Sequence, residues 1–224
     1  MTHASLKKRM AVAALDLVLA LLLTALLACA FGALFGYART VAQIDRVTTD
    51  FEIANRINLS ITEEVYQSLP EAERTRYDLM IDALRHDPAM IDAYTDLVGA
   101  TVGIAALSFL VAYLALEILI PLCNKHRATV GGLLLGMTLA QADLSPVRTS
   151  TLLGRVLIGK YLMETLLPVI VLIITALEVI PGLAGILILL VFAAVQIWAV
   201  AATAQHVPVH GLISGTVTAN AAKQ

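Results

Sequence analysis

Five ionisable side chains stand within or at the ends of long apolar runs: Arg9, Asp16, Glu117, Lys160 and Glu164. Ionisable groups inside a bilayer are costly, and where they persist they mark ion or proton pathways. Arg9 and Asp16 are seven residues apart, two helical turns. They therefore share a face and can bracket a partner from another helix rather than pair directly. Lys160 and Glu164 are four apart and can pair on one helix face. Glu117 and Glu164 are each followed four residues later by a proline, Pro121 and Pro168. Proline has no N–H to offer the carbonyl four residues back, so each glutamate would carry a free carbonyl beside its carboxylate. Two oxygens at one place suit a hard cation or a proton relay. The competing chemistry is structural: Asp16 paired with Lys160 or Arg155, and Glu117 with Arg9 or Lys125.

These groups must be positioned by membrane helices. The chain has 224 residues, 59% hydrophobic and only 14% charged, with a mean hydropathy of +0.84. A soluble domain is about a quarter charged, so an ordinary soluble domain and a disordered chain are excluded. A nucleic-acid binder would need a basic surface, and the net charge is -2. A spanning helix needs about 20 mostly apolar residues. Four stretches answer: about Met10–Tyr37, Asp96–Ile120, Leu152–Leu177 and Pro181–Thr203. Pro181-Gly182 is the turn between the last two, which form an antiparallel hairpin. The fold class expected is all-α, with four transmembrane helices and an extracytoplasmic helical insertion between the first two.

Charge in the flanks sets the orientation. Lys7, Lys8 and Arg9 precede the first span, and Lys125, Arg127, Arg148 and Arg155 lie between the second and third. The latter four form an expected cytoplasmic basic surface, with anionic lipid headgroups as a third candidate ligand. The segment from Arg39 to Tyr94 is richer in acids. Both termini are thus expected in the cytoplasm and 39–95 outside, in a bacterial inner membrane. An uncleaved first span is expected. Lys7-Lys8-Arg9 and Leu26-Leu27-Ala28-Cys29 resemble a signal sequence, but Asp16 interrupts the apolar run and the run continues past Cys29.

The organisation follows. Residues 1–38 are a cytoplasmic N-terminus and first span, 39–95 the insertion, and 96–121 the second span. Residues 122–150 are a cytoplasmic or interfacial segment, 151–205 the third and fourth spans, and 206–224 a cytoplasmic tail. Within the insertion, Ser60-Ile61-Thr62-Glu63 has the form of a capping box. Leu69-Pro70-Glu71 opens a helix with an apolar side at Leu79, Met80, Ile81 and Leu84, and Asp87-Pro88 opens one that runs into the second span. Thr129–Ala140 is apolar but glycine-rich and too short to span, so it reads as a strand-like or interfacial excursion, with an amphipathic re-entrant segment as the alternative.

Other signals are slight. Cys29 and Cys123 form no framework. Gly32/Gly36 and Gly99/Gly103 have the spacing for close helix contact. His206 and His210 are four apart, but Pro208 breaks the helix that would align them on a metal. No nucleophile–base pair, phosphate loop or zinc motif occurs, so neither an enzyme nor a cofactor nor a metal site is expected.

Arg9-Met10-Ala11-Val12-Ala13-Ala14-Leu15-Asp16 resembles the opening of the RDD family of small polytopic membrane proteins. Pro121–Thr138, Leu153-Gly154-Arg155 and His210-Gly211-Leu212-Ile213-Ser214-Gly215-Thr216-Val217 are similar to later family segments. The insertion 39–95 is unmatched, and Gly211 stands where the family has its second aspartate. The resemblance implies the topology above, and links to sodium/proton antiport in some members imply Na+ or H+ as ligand. Four spans are few for a transporter, so a homo-oligomer or a membrane partner subunit is expected. The alternative is a non-transporting scaffold or accessory subunit that docks through 39–95.

Overall fold

The computed structural model describes residues 2–203 and 207–220. Four helices are long and apolar enough to cross a membrane: Leu6–Leu34 (α1), Pro88–Cys123 (α5), Thr149–Ala176 (α7) and Gly182–Ala202 (α8). Their outward faces carry bare hydrophobic side chains, among them Leu22 and Leu26 on α1 and Leu190, Val191 and Trp198 on α8. Exposed apolar surface on this scale needs a lipid solvent or a partner. Each helix satisfies its own backbone, as a lipid-exposed segment must. The expected spans thus stand, with α5 starting earlier because Pro88 opens one continuous helix.

The contacts divide the chain into two units, one of Met1–Cys29 with Ile104–Gln224 and the other Ala30–Gly103. The second unit is helical throughout its regular structure: Tyr37–Asn55 (α2), Glu63–Ser68 (α3) and Glu71–Arg85 (α4) join the first part of α5. The cap of α3 is Thr62, whose hydroxyl accepts from the Val65 N–H at 3.4 Å, so the helix begins two residues later than the Ser60 box predicts. On α4, Leu84 is buried and Met80 and Ile81 are half-buried, as is Tyr77, while Leu79 is 61% exposed, so the expected apolar side holds except at Leu79. The Tyr77 hydroxyl donates to the Leu59 carbonyl at 2.8 Å, and the Tyr66 and Tyr77 rings lie 5.3 Å apart. Tyr66 also donates to Asp78 at 3.0 Å, a bond that raises its phenol pKa. Gly99 and Gly103 face open space rather than a neighbouring helix.

The first unit holds the remaining elements. The short helix Val130–Leu134 (α6) follows α5, and Val209–Ser214 (α9) follows α8. Each is followed by a glycine with positive φ, Gly136 at 61° and Gly215 at 62°, a conformation glycine adopts without steric penalty. Each glycine turns the chain into a strand, Met137–Gln141 (β2) and Thr216–Asn220 (β3). With Thr2–His3 (β1) they form an antiparallel sheet in the order β1-β3-β2. The all-α expectation therefore holds for most of the chain, which is 77% helical, with this small sheet added. Residues 209–220 are not a loose tail: Val217 and Ala219 are buried against Ala140 and Val207. A second cluster, Ile118, Leu139, Val147, Leu152 and Val156, packs β2 against α5 and α7.

Two of the spans are wound differently near their prolines. In α5 the stretch Ala115–Leu119, and in α7 the stretch Gly154–Leu166, use i→i+5 hydrogen bonds. Ile120 N–H reaches the Ala115 carbonyl, and Leu167 N–H the Leu162 carbonyl. Pro121 and Pro168 follow directly. An i→i+5 register is a known way to relieve a helix around a missing donor, and it often marks functional positions.

Candidate polar pocket

Arg9, Asp16, Glu117, Lys160 and Glu164 all line one pocket of about 450 Å³ in the first unit, together with Arg155 and His210. Every acid among them has found a partner, and the partners differ from those the spacing predicts.

Asp16 is held by α6. Its Oδ2 accepts from the Thr129 hydroxyl at 2.5 Å and its Oδ1 from the Gly131 N–H at 2.7 Å. Thr129 is the cap of α6 and in turn accepts from the Gly132 N–H at 3.2 Å. A helix of this length has mostly orphan N–H groups at its start, and a carboxylate from α1 satisfies one of them. A Cβ on Gly131 would lie 2.8 Å from Asp16 Oδ1 and 2.9 Å from the Val12 carbonyl. Only glycine allows this approach.

Glu117 pairs with Lys160, joining α5 to α7. Glu117 is buried, so the pair is screened from bulk solvent. Lys160 does not pair with Glu164. Both lie in the i→i+5 stretch of α7, and each is taken by a partner from another element, Glu117 and His210. Glu164 instead takes α9: His210 Nδ1 lies 2.7 and 2.9 Å from its two oxygens, and the His210 N–H donates to Oε1 at 3.3 Å. Burial above all, then the facing Arg155 cation, lowers the His210 pKa to about 3. The ring is neutral near pH 7 and carries its proton on Nδ1, where the carboxylate accepts it. Gly159 makes room for this contact, since a Cβ there would lie 2.7 Å from His210 Cβ and 2.8 Å from its Cα.

The bases are placed as follows. Arg9 donates to the Ala4 carbonyl at 3.1 Å and the Thr218 carbonyl at 3.3 Å, tying α1 to β3. Arg155 belongs to the pocket and not to a basic surface. It is 7% exposed and donates to the Thr216 hydroxyl. Of the rest of the expected basic surface, Lys125 and Arg148 are exposed. Arg127 donates to the Leu122 carbonyl at 2.8 Å and the Thr149 hydroxyl at 3.0 Å, bridging the loop to the start of α7. Asp143, outside the spans, accepts the Ser145 N–H at 2.9 Å, and hydrogen bonds from the Ser145 side chain first and then from that N–H lower its pKa.

The sequence collected the five pocket residues as ionisable groups in apolar runs, offered Arg155 only as a partner of Asp16 or as basic surface, and did not place His210 with them. The partners of Arg155 and His210 are 61 and 46 residues away along the chain, beyond any local pattern. The histidine pair remains half described, since His206 lies outside the described residues. Among the described residues no three His, Cys, Asp or Glu side chains gather as a metal ligand set. No family model, curated protein or solved structure matches the chain.

Proposed function

We propose that the chain is an RDD-type multi-pass protein of the bacterial cytoplasmic membrane that moves protons or sodium ions through this pocket, as a homo-oligomer or with a membrane partner. The observation that carries the reading is the pocket itself: three acids and three bases contributed by three spans line one hollow. Ionisable groups in spans are expected at ion and proton paths. Hydrogen-bonded carboxylates from different helices, one of them bonded to a histidine, offer successive places for a proton. The orientation follows the bases. Lys7, Lys8, Lys125 and Arg148 lie at one end of the spans, which is the cytoplasmic end by the positive-inside rule. The insertion 39–95 then lies outside.

The test is proton and sodium flux in proteoliposomes. Glu164→Gln is expected to reduce sodium-dependent proton flux by about tenfold or more, the scale of a lost relay group. Asp16→Asn is expected to lower flux together with folded yield, because Asp16 holds α6. Flux unchanged in both variants sinks the reading.

A scaffold role has its own support in the second unit, where Ile53 and Leu79 are 71% and 61% exposed on otherwise polar helices. Deleting 45–90 would then release a co-purifying protein without affecting membrane insertion.

A further inference from the structure

Residues 109–141 and 188–220 align without a gap. Val130, Gly132, Leu133, Gly136 and Ala140 fall on Val209, Gly211, Leu212, Gly215 and Ala219. Tyr113, Glu117 and Asn124 fall on Phe192, Gln196 and Thr203. The hydrogen bonds repeat along with the residues. The Asn124 side chain donates to the Ile120 carbonyl at 2.6 Å and accepts from the Ala128 N–H at 3.1 Å. The Thr203 hydroxyl donates to the Ala199 carbonyl at 2.9 Å and accepts from the Val207 N–H at 2.7 Å. Each of these partners is the other's counterpart at the same offset. The αL glycines match, and so do the acids, because Asp16 and Glu164 each accept from the second residue of the short helix that follows.

The sheet gives the symmetry. In the β2–β3 register Leu139 faces Thr218, its own counterpart. A local twofold axis therefore passes between them. Counterparts face the pocket in pairs, Ala128 with Val207 and Thr129 with Pro208. The chain is thus two copies of one unit, span–span–helix–glycine–strand, with the insertion placed inside the first copy. Parallel repeats with a ligand site at their interface are a recurring transporter plan.

Against this background the side-chain contacts that differ between the copies stand out, among them the His210 ring on Glu164, the Arg155–Thr216 bond and one ion pair between spans. Glu117 pairs with Lys160. The counterpart of Glu117 is Gln196, whose side-chain oxygen accepts from the Val209 N–H at 3.3 Å. Lys160 stands four residues before Glu164, and Val12 stands four before Asp16. The positions equivalent by offset in the other copy, Gln196 and Val12, carry no charge. A buried ion pair adds little stability on balance, because desolvation offsets its attraction. Its retention in one copy calls for a role other than holding the fold.

We infer that the pocket is a binding site for a proton or a monovalent cation between the two copies, and that Glu117–Lys160 is the gate that this ligand breaks. The inference rests on the transport reading above and assigns its working pair. A proton or cation taken by Glu117 releases Lys160, and α5 and α7 are then joined at this level through the apolar cluster of Ile118, Leu152 and Val156, about which they can part on the pocket side. Arg9 and Asp16 of α1, Tyr113 of α5, Arg127 of the loop after it, Arg155 and Glu164 of α7 and His210 of α9 line the same pocket as the pair.

The experiment makes the gate resemble its counterpart. Glu117→Gln with Lys160→Val is combined in the full chain and reconstituted beside wild type. The expected result is an unchanged thermal midpoint and a loss of proton or sodium flux on the order of tenfold or more. A double variant that fails to fold or melts well below wild type makes the pair structural and overturns the gate. A folded double variant with wild-type flux also overturns it, while leaving transport intact. Wild-type vesicles with no flux overturn the transport reading and the gate with it.

Discussion

The two short helices that close the pocket are docked by the same device and finished differently. On α6 the second residue is Gly131, and Asp16 is filled by its N–H and the Thr129 hydroxyl. On α9 the second residue is His210, and Glu164 is filled by its N–H and its ring. The first arrangement contains one titratable group, and the second contains two in contact. The comparison teaches that an acid inside a span can be a fastening in one place and chemistry in another. The neighbour that completes its hydrogen bonds decides which. Asp16 shares its face with Arg9 as the spacing implies, yet its carboxylate is committed to backbone and hydroxyl donors.

The comparison can be broken most forcefully at the glycines that let the helices approach. Gly159→Ala forces a Cβ against the His210 Cβ and Cα, whereas Gly131→Ala forces one against the Asp16 carboxylate and the Val12 carbonyl. Overpacking of this kind costs about 1–3 kcal/mol, with Gly159→Ala at the upper end. Limited proteolysis should then nick near α9 in the first variant and near α6 in the second. Equal damage at both ends in each variant would show that the two dockings are not separate.

Acid should separate the halves next. His210 has a folded pKa of about 3 against the ordinary 6.5. The unfolded chain therefore takes up the proton first. The stabilisation is full above pH 6.5 and is lost as the pH falls from there toward 3. Hydrogen exchange in β3 should rise with acid before exchange in α6, and His210→Gln should flatten that limb.

The smallest effect tests sameness rather than difference. Gly136→Ala and Gly215→Ala each place a side chain at positive φ, which costs about 1 kcal/mol. Their thermal shifts should agree closely. A large disparity would mean that the two turns bear unequal loads.

The spans were legible because length and hydropathy are local properties, and Pro181-Gly182 marked the hairpin for the same reason. The five pocket residues were collected because each is an ionisable side chain within or at the end of an apolar run. The pairing among them was not legible. The i,i+4 rule offers Lys160 to Glu164, but each is taken by a partner from another element, Glu117 and His210, which lie 43 and 46 residues away along the chain. Residues 216–220 read as tail because their strand partner, β2, precedes two spans in the chain. The repeat was present in Val130/Gly132/Gly136 and Val209/Gly211/Gly215, but so few identities among apolar residues become persuasive only when their hydrogen bonds coincide.

The strand order β1-β3-β2 has a consequence for how the molecule is made. The central strand β3 follows the last span, so the other two strands have no partner until every span has been synthesised. Arg9, near the start of the chain, likewise awaits the Thr218 carbonyl. The polar pocket is therefore a late product of biogenesis. Ribosome-bound intermediates carry inserted helices around an unfinished floor, and closure belongs to the last step after translation of the spans.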